Sequence, residues 1–186
     1  VDVIYKRDVE IQYKITTIIV RTARTYTNTD MRQLITEFRS RWNSNHGGVR
    51  RDVAHLFTGK GSFSGIVGIA YLSVICNLGS AYGVDKAFSG ATTNVGLVAH
   101  ELGHNWASNH CDSSAPCNIM CSGLGGCNRN LSSFGTFARN AIIGHRNTRN
   151  CLTPVGGGNP GSFGKIGVGC QSSRGVLDHT AFGVPK

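Results

Sequence analysis

Between residues 100 and 110 the chain reads HELGHNWASNH, with three histidines and one glutamate. No other stretch limits the fold as much. Residues four apart on an α-helix share a face and sit about one turn from each other. His100 and His104 therefore project together, and both imidazoles can reach one ion. Glu101 lies beside them, placed to approach a metal-bound water without being a ligand itself. His110 follows too late to share that face. The chain must leave the helix in a sharp turn and bring His110 back. The alternative is a set of unrelated polar residues on an ordinary amphipathic helix. For one isolated histidine that alternative usually wins. The full pattern arises by chance in a chain of this length only about once in ten thousand, so a metal centre is the better reading. His46, His55, His145 and His179 lack such an arrangement and read as structural.

Three neutral imidazoles with an open fourth position form the ligand set of catalytic zinc. Nitrogen ligands also suit zinc better than the cations that prefer oxygen. Zinc lowers the pKa of its bound water and polarises a carbonyl oxygen. Glu101 would take the proton as the water attacks and pass it to the leaving amine. The expected reaction is peptide-bond hydrolysis with no covalent intermediate.

The rest of the chain supplies a scaffold for such a helix. VEIQYKITTIIVRTA is rich in β-branched residues and reads as a strand. In TNTDMRQLITEFRSRWNSNHGG, Met31, Leu34, Ile35, Phe38 and Trp42 recur at helical spacing between cap-type residues and a glycine pair. RRDVAHLFTG, SGIVGIAYLSVI and AYGVDKAF read as three further strands. TTNVGLVAHELGHNWASNH is the long second helix, with Thr92, Thr93 or Asn94 as candidate caps. Residues 111–126 have loop composition, and FGTFARNAIIGHRNT can form a last helix. This order describes an α/β sandwich with the histidine-bearing helix packed under the sheet. PVGGGNP then breaks all periodicity, so a boundary is expected near residue 154. It separates a domain at 1–154 from a Gly- and Ser-rich tail, or the start of a further module, at 155–186.

Composition narrows the setting. Seven cysteines are many for 186 residues, and Cys111, Cys117, Cys121 and Cys127 crowd into one loop-like segment. Their spacing lacks the paired C-x-x-C pattern of zinc ribbons, so disulfides and an oxidising, extracellular compartment are expected. Four cysteines allow three pairings, and sequence does not choose among them. Cys170 is the expected odd one out. No apolar run approaches the ~20 residues of a membrane span. The chain opens with charged residues rather than a signal peptide and lacks an initiator Met, so a processed or trimmed piece of a precursor is expected. The net charge of +9 comes from scattered basic residues with no nucleic-acid motif beside them. A solvated basic surface on a monomer is expected, and nucleic acid is not the expected partner.

The zinc pattern, followed by Met120 in CNIMC, resembles the metzincin signature of three histidines and a Met-turn. The resemblance is to the reprolysin branch, the snake-venom metalloproteinases and ADAM catalytic domains. It extends over roughly residues 8–153. RDVAHLFTGKGSFSGIVGIAYLSVIC is similar to that branch's run through a turn, an edge strand and a cysteine, and YGVD to its next strand. The resemblance implies a twisted mixed sheet with an antiparallel edge strand, a long active-site helix and an irregular, Cys-rich C-terminal subdomain. It implies an extended protein or peptide substrate along the edge strand at Gly68, Ile69 and Ala70. It also implies a disulfide from Cys76 to Cys151, and a structural calcium at Glu10, Asp52 and the carbonyl of Cys151. Two surface carboxylates are the alternative reading of Glu10 and Asp52.

The chain departs from the pattern at three places. Pro154 stands where the branch has a calcium-binding Asn. Cys111 replaces the Asp after the third histidine. Ala107 replaces the glycine at the turn, where φ > 0 costs a residue with a Cβ. No inhibitory pro-segment is visible, so the chain is expected to be active. The sequence thus points to a secreted zinc endopeptidase. The rivals are a non-catalytic, metal-stabilised binding or adhesion module on the same scaffold, and a polyanion binder on charge alone.

Overall fold

The computed structural model describes residues 1–60, 63–154 and 162–171, with Pro154 and 162–171 as backbone only. The elements run α1 (Asp2–Val9), β1 (Ile11–Arg21), α2 (Met31–Asn45), β2 (Val53–Thr58), β3 (Gly68–Ala70), β4 (Tyr82–Lys86), α3 (Ala91–Asn105), α4 (Thr136–Arg146), β5 (Thr153–Pro154) and β6 (Ser162–Gln171). One mixed sheet has the order β1-β6-β2-β4-β3, with β5 paired to β6. The first four are mutually parallel, and β3 runs antiparallel to β4. Among the described residues β3 pairs with β4 alone, so its outer edge is open.

Each face of the sheet has its own core. β2 is almost wholly buried, as suits an inner parallel strand covered on both sides. On one face lies α2. Asp30 caps it by accepting the Gln33 N–H at 3.0 Å. Its buried stripe of Met31, Leu34, Ile35, Phe38 and Trp42 packs with Leu56, Tyr82 and Val84. The second core gathers Tyr5, Val53, Leu102, Trp106, Met120, Phe134 and Ile142, from α1, β2, α3 and its C-cap, α4 and the loop between the last two helices. The long helix therefore sits where the α/β sandwich requires it.

Several elements differ from their sequence reading. Residues 2–9, to which the sequence reading assigns no element, form α1. This helix is too short for its period to show, and tertiary contact forms it: Ile4, Tyr5 and Val9 are buried, and Tyr5 Oη donates to Ala99 O at 2.9 Å. The strand expected across SGIVGIAYLSVI shrinks to Gly68–Ala70. Beyond it the chain turns inward. Ser73 N donates to His104 O at 2.9 Å and Val74 N to Asn105 O at 3.0 Å. Val74 and Ile75 are apolar because this loop enters the core, not because they lie on a pleat. Gly90 occupies the N-cap of α3, ahead of the expected Thr92, Thr93 and Asn94. Asn94 instead grips Phe88, bonding its N–H and carbonyl at 2.8 Å each. The expected boundary at 154 falls just before β6, whose backbone lies between β1 and β2. Residues 155–161 and 172–186, including His179, lie outside the described residues.

Disulfides join Cys76 to Cys151, Cys111 to Cys117 and Cys121 to Cys127. Among the described residues no helix is long and apolar enough to cross a membrane.

Candidate active site

The helix α3 carries His100, Glu101 and His104 because its other face is apolar. Ala99 and Leu102 are buried there. Gly103 lets the helix settle on the loop below, since a Cβ there would lie 2.5 Å from Met120 Sδ. Met120 is fully buried at that contact.

The helix ends in the sharp turn that the histidine spacing demands. Ala107 has φ 76°. Ala107 N donates to His104 O and Ser108 N to Gly103 O, both at 2.9 Å. This is the paired bonding of a Schellman end, with alanine at the position usually held by glycine. The turn does two jobs. It points the Ser108 carbonyl at His104 Nδ1, 2.7 Å away, and it returns His110 to the helix face. His100 Nδ1 faces the Ile119 carbonyl at 2.7 Å in the same way.

These carbonyls fix the tautomers. Each accepts an Nδ1–H, which leaves Nε2 of His100 and His104 as bare lone pairs. The Nε2 atoms of His100, His104 and His110 lie 3.1 Å apart in every pair. Converging lone pairs at that distance repel unless a cation sits among them. Tetrahedral ligands at ~2.0–2.1 Å from zinc lie ~3.3–3.4 Å apart, so the triangle fits that ion. Burial pushes His100 down to about 4, with the nearby His104 adding to the effect. Burial lowers His104 as well. Neutral imidazole is the form that binds metal.

Glu101 is 3% exposed, and its Oε2 has no hydrogen-bond partner. Its carboxyl rests against the backbone of Gly68 in β3. A Cβ at Gly68 would overlap Oε1 and stand 2.7 Å from both Glu101 Cδ and Leu97 Cδ1. Burial holds this carboxyl well above the usual range, and Asp85 pushes in the same direction. Such a group takes a proton readily.

A groove of about 530 Å³ runs over these residues. Residues 65–70 form one wall and Ser122, Gly123 and Leu124 the other, with the three histidines and Glu101 between them. Gly68, Ile69 and Ala70 are half-buried there. Asp112 secures the far wall, accepting from Ser122 N at 3.1 Å and Ser122 Oγ at 2.9 Å. Sequence reasoning missed Gly68 as a cradle and Asp112 as a clamp, since both roles depend on residues distant in the chain. The residues of the calcium expectation divide. Asp52 O accepts from Cys76 N at 3.4 Å, near the Cys76–Cys151 link, whereas Glu10 pairs with Arg146 at 3.1 Å.

A helix presenting two imidazoles and a buried carboxylate, a third imidazole returned by a turn, and an open strand edge above them make a metallopeptidase-type centre. The chain belongs to the reprolysin-like metallopeptidases of family M12B, whose model matches residues 1–111. It is also 41% identical over 91 residues to human disintegrin and metalloproteinase domain-containing protein 9. That alignment covers 45% of this chain and 11% of the relative, so the chain spans a small part of that protein's length. The family match includes all three histidines and Glu101 and stops before Met120.

Proposed function

We propose that this domain is a secreted zinc endopeptidase. The observation that carries the reading is the 3.1 Å triangle of Nε2 atoms beside a buried glutamate and under an open strand edge. Bound by His100, His104 and His110, zinc would supply Lewis acidity, acidifying a water and polarising the scissile carbonyl.

The protein's own groups do the rest. β3 offers its free edge to an extended peptide, which adds as an antiparallel strand at Gly68, Ile69 and Ala70. Main-chain pairing of this kind places little demand on side chains. Glu101 takes the proton of the attacking water, then delivers it to the leaving amine. The amide bond breaks, a carboxylic acid and an amine form, and no covalent enzyme intermediate is needed. Glu101 is only 3% exposed beside the groove, which limits water at this carboxylate.

Three disulfides among the described residues support an oxidising, extracellular location. The catalytic unit is residues 1–154, acting as a monomer, with β6 contributed from the segment beyond it. A structural calcium at Glu10, Asp52 and the Cys151 carbonyl is a separate proposal, supported by resemblance and by the nearness of Asp52 to the Cys76–Cys151 link. Added calcium should raise Tm, and an unchanged Tm would rule that site out.

The test of function is digestion of a denatured protein, with zinc measured on the same sample. Cleavage should stop with a zinc chelator and return with added zinc. A zinc-loaded protein that cleaves nothing would favour the binding-module reading.

A further inference from the structure

Behind the zinc-binding helix lies a polar cluster that the mechanism does not use. His55 in β2, Asp85 in β4 and Asn105 at the end of α3 are 1%, 1% and 0% exposed. Asn105 Nδ2 donates to Tyr71 O at 2.8 Å and to Tyr82 O at 3.1 Å. Two carbonyls on one side identify that atom as the amide nitrogen, and they consume both of its hydrogens. Asn105 Oδ1 must then accept, and its partner is His55 Nε2 at 3.0 Å. The other ring nitrogen, Nδ1, lies 2.7 Å from Asp85 Oδ2.

The surroundings are shaped for this arrangement. His55 faces Gly83 across the β2–β4 ladder, and a Cβ at Gly83 would lie 2.7 Å from His55 Nε2 and 2.9 Å from Nδ1. Asp85 faces Gly68 across the β3–β4 ladder, the same Gly68 against which Glu101 rests. Asp85 Oδ1 and Glu101 Oε2 are each buried without a partner. The main chain adds to the link. Asn105 O accepts from Val74 N and Ile75 N, and His104 O from Ser73 N, all in the segment that follows β3.

We infer that His55, Asp85 and Asn105 form a buried brace that sets the spacing between the substrate strand and the zinc-binding helix. They are positioning residues, acting through His104 and Glu101. Asn105 is the joint: one amide spans the residue after β3, the start of β4 and the imidazole of β2, and it adjoins a metal ligand in sequence. Displacing it moves His104 and the Glu101 carboxyl relative to Gly68. Shifts of about 1 Å in such geometry cost on the order of 100-fold in rate, and loss of outer partners of metal ligands costs roughly 10- to 100-fold in metal affinity or activity. The rate consequence rests on the peptidase reading; the consequence for zinc does not.

The informative variant is Asn105→Asp. It keeps the size and still accepts from His55, but it turns an oxygen toward the Tyr71 and Tyr82 carbonyls. On preparations shown to be folded by near-UV circular dichroism, zinc affinity is measured by competition with a chromophoric chelator. Hydrolysis of a fluorogenic peptide is measured on the same material. The brace predicts zinc binding weakened roughly 10- to 100-fold, or kcat lowered by that factor with KM little changed. His55→Gln, which keeps an amide donor for Asn105, should retain more of both than His55→Leu. A third readout uses the parent protein alone: in ¹⁵N spectra His55 Nε2 should be protonated. A folded Asn105→Asp with parental zinc affinity and kcat overturns the brace, as does an unprotonated His55 Nε2. A parent that binds zinc but cleaves no peptide sinks the peptidase reading, and the brace then stands or falls on zinc affinity and the His55 spectrum.

Discussion

Replacing Ala107 by glycine should stabilise the domain. The residue sits at φ 76°, in the left-handed region, as the turn residue of the Schellman end of α3. A Cβ there approaches the following carbonyl and costs roughly 1–2 kcal/mol. Glycine removes that cost but loses more freedom on folding, which offsets about 0.5–1 kcal/mol. The expected net gain is up to about 1 kcal/mol. For a chain of this size that corresponds to a Tm rise of roughly 2–4 °C. Zinc content and hydrolysis should be unchanged, because the two backbone bonds of the turn and the Ser108 carbonyl stay in place. Thermal melts of parent and variant, each with zinc bound, decide the matter. A Tm lowered by several degrees would mean that Ala107 continues the helix in solution. The route by which His110 reaches the other histidines would then be wrong.

Three further outcomes follow from the same contacts. Gly68→Ala should place a methyl on the Glu101 carboxyl and against Leu97 Cδ1. It should destabilise by about 1–3 kcal/mol and lower peptide hydrolysis on the order of 100-fold while zinc is retained; parental turnover would refute the cradle. Removing the Cys76–Cys151 link, which spans 75 residues, should cost up to ~4 kcal/mol in the chain-entropy model, read by denaturant melts of the double serine variant. For acid, metal-free Glu101→Gln is the right background, since it removes the opposing titration of Glu101. Burial holds His100 near 4 when folded, against 6.5 when unfolded, so the unfolded chain binds the extra proton. His100 should contribute no pH dependence well above pH 6.5, lower stability as pH drops below it, and complete its share near pH 4 at roughly 3 kcal/mol, with His104 adding in the same direction. A Tm constant between pH 6.5 and 5 would contradict this.

Some of this was legible in the sequence because the signals are local. Met31, Leu34, Ile35, Phe38 and Trp42 recur at the helical period, and α2 follows them. The HELGH spacing dictates one face of a helix, and His110 dictates a turn after it. Residues 2–9 gave no such signal, since α1 is held by contacts of Tyr5 with Ala99, Tyr13 and Phe134. The apolar run after Gly68 has strand composition, but the bonds of Ser73 and Val74 to the end of α3 bend it into the core. The place of β6 between β1 and β2 is a long-range pairing that neither composition nor period encodes. From the sequence His55 reads only as a structural histidine. Its meaning depends on Asp85 and Asn105, 30 and 50 residues away. The role of Gly68 likewise emerges only when Glu101 is brought against it.

In the proposed mechanism three histidines hold the metal while Glu101 moves protons. Glu101→Gln keeps the size of the side chain and removes the base. Zinc per chain and peptide turnover should be measured on the same preparations of parent and variant. About one zinc is expected in each, with a loss of at least ~100-fold in turnover for the variant, the low end of what general-base catalysis contributes. A variant that keeps its zinc and cleaves peptides as fast as the parent would contradict this mechanism.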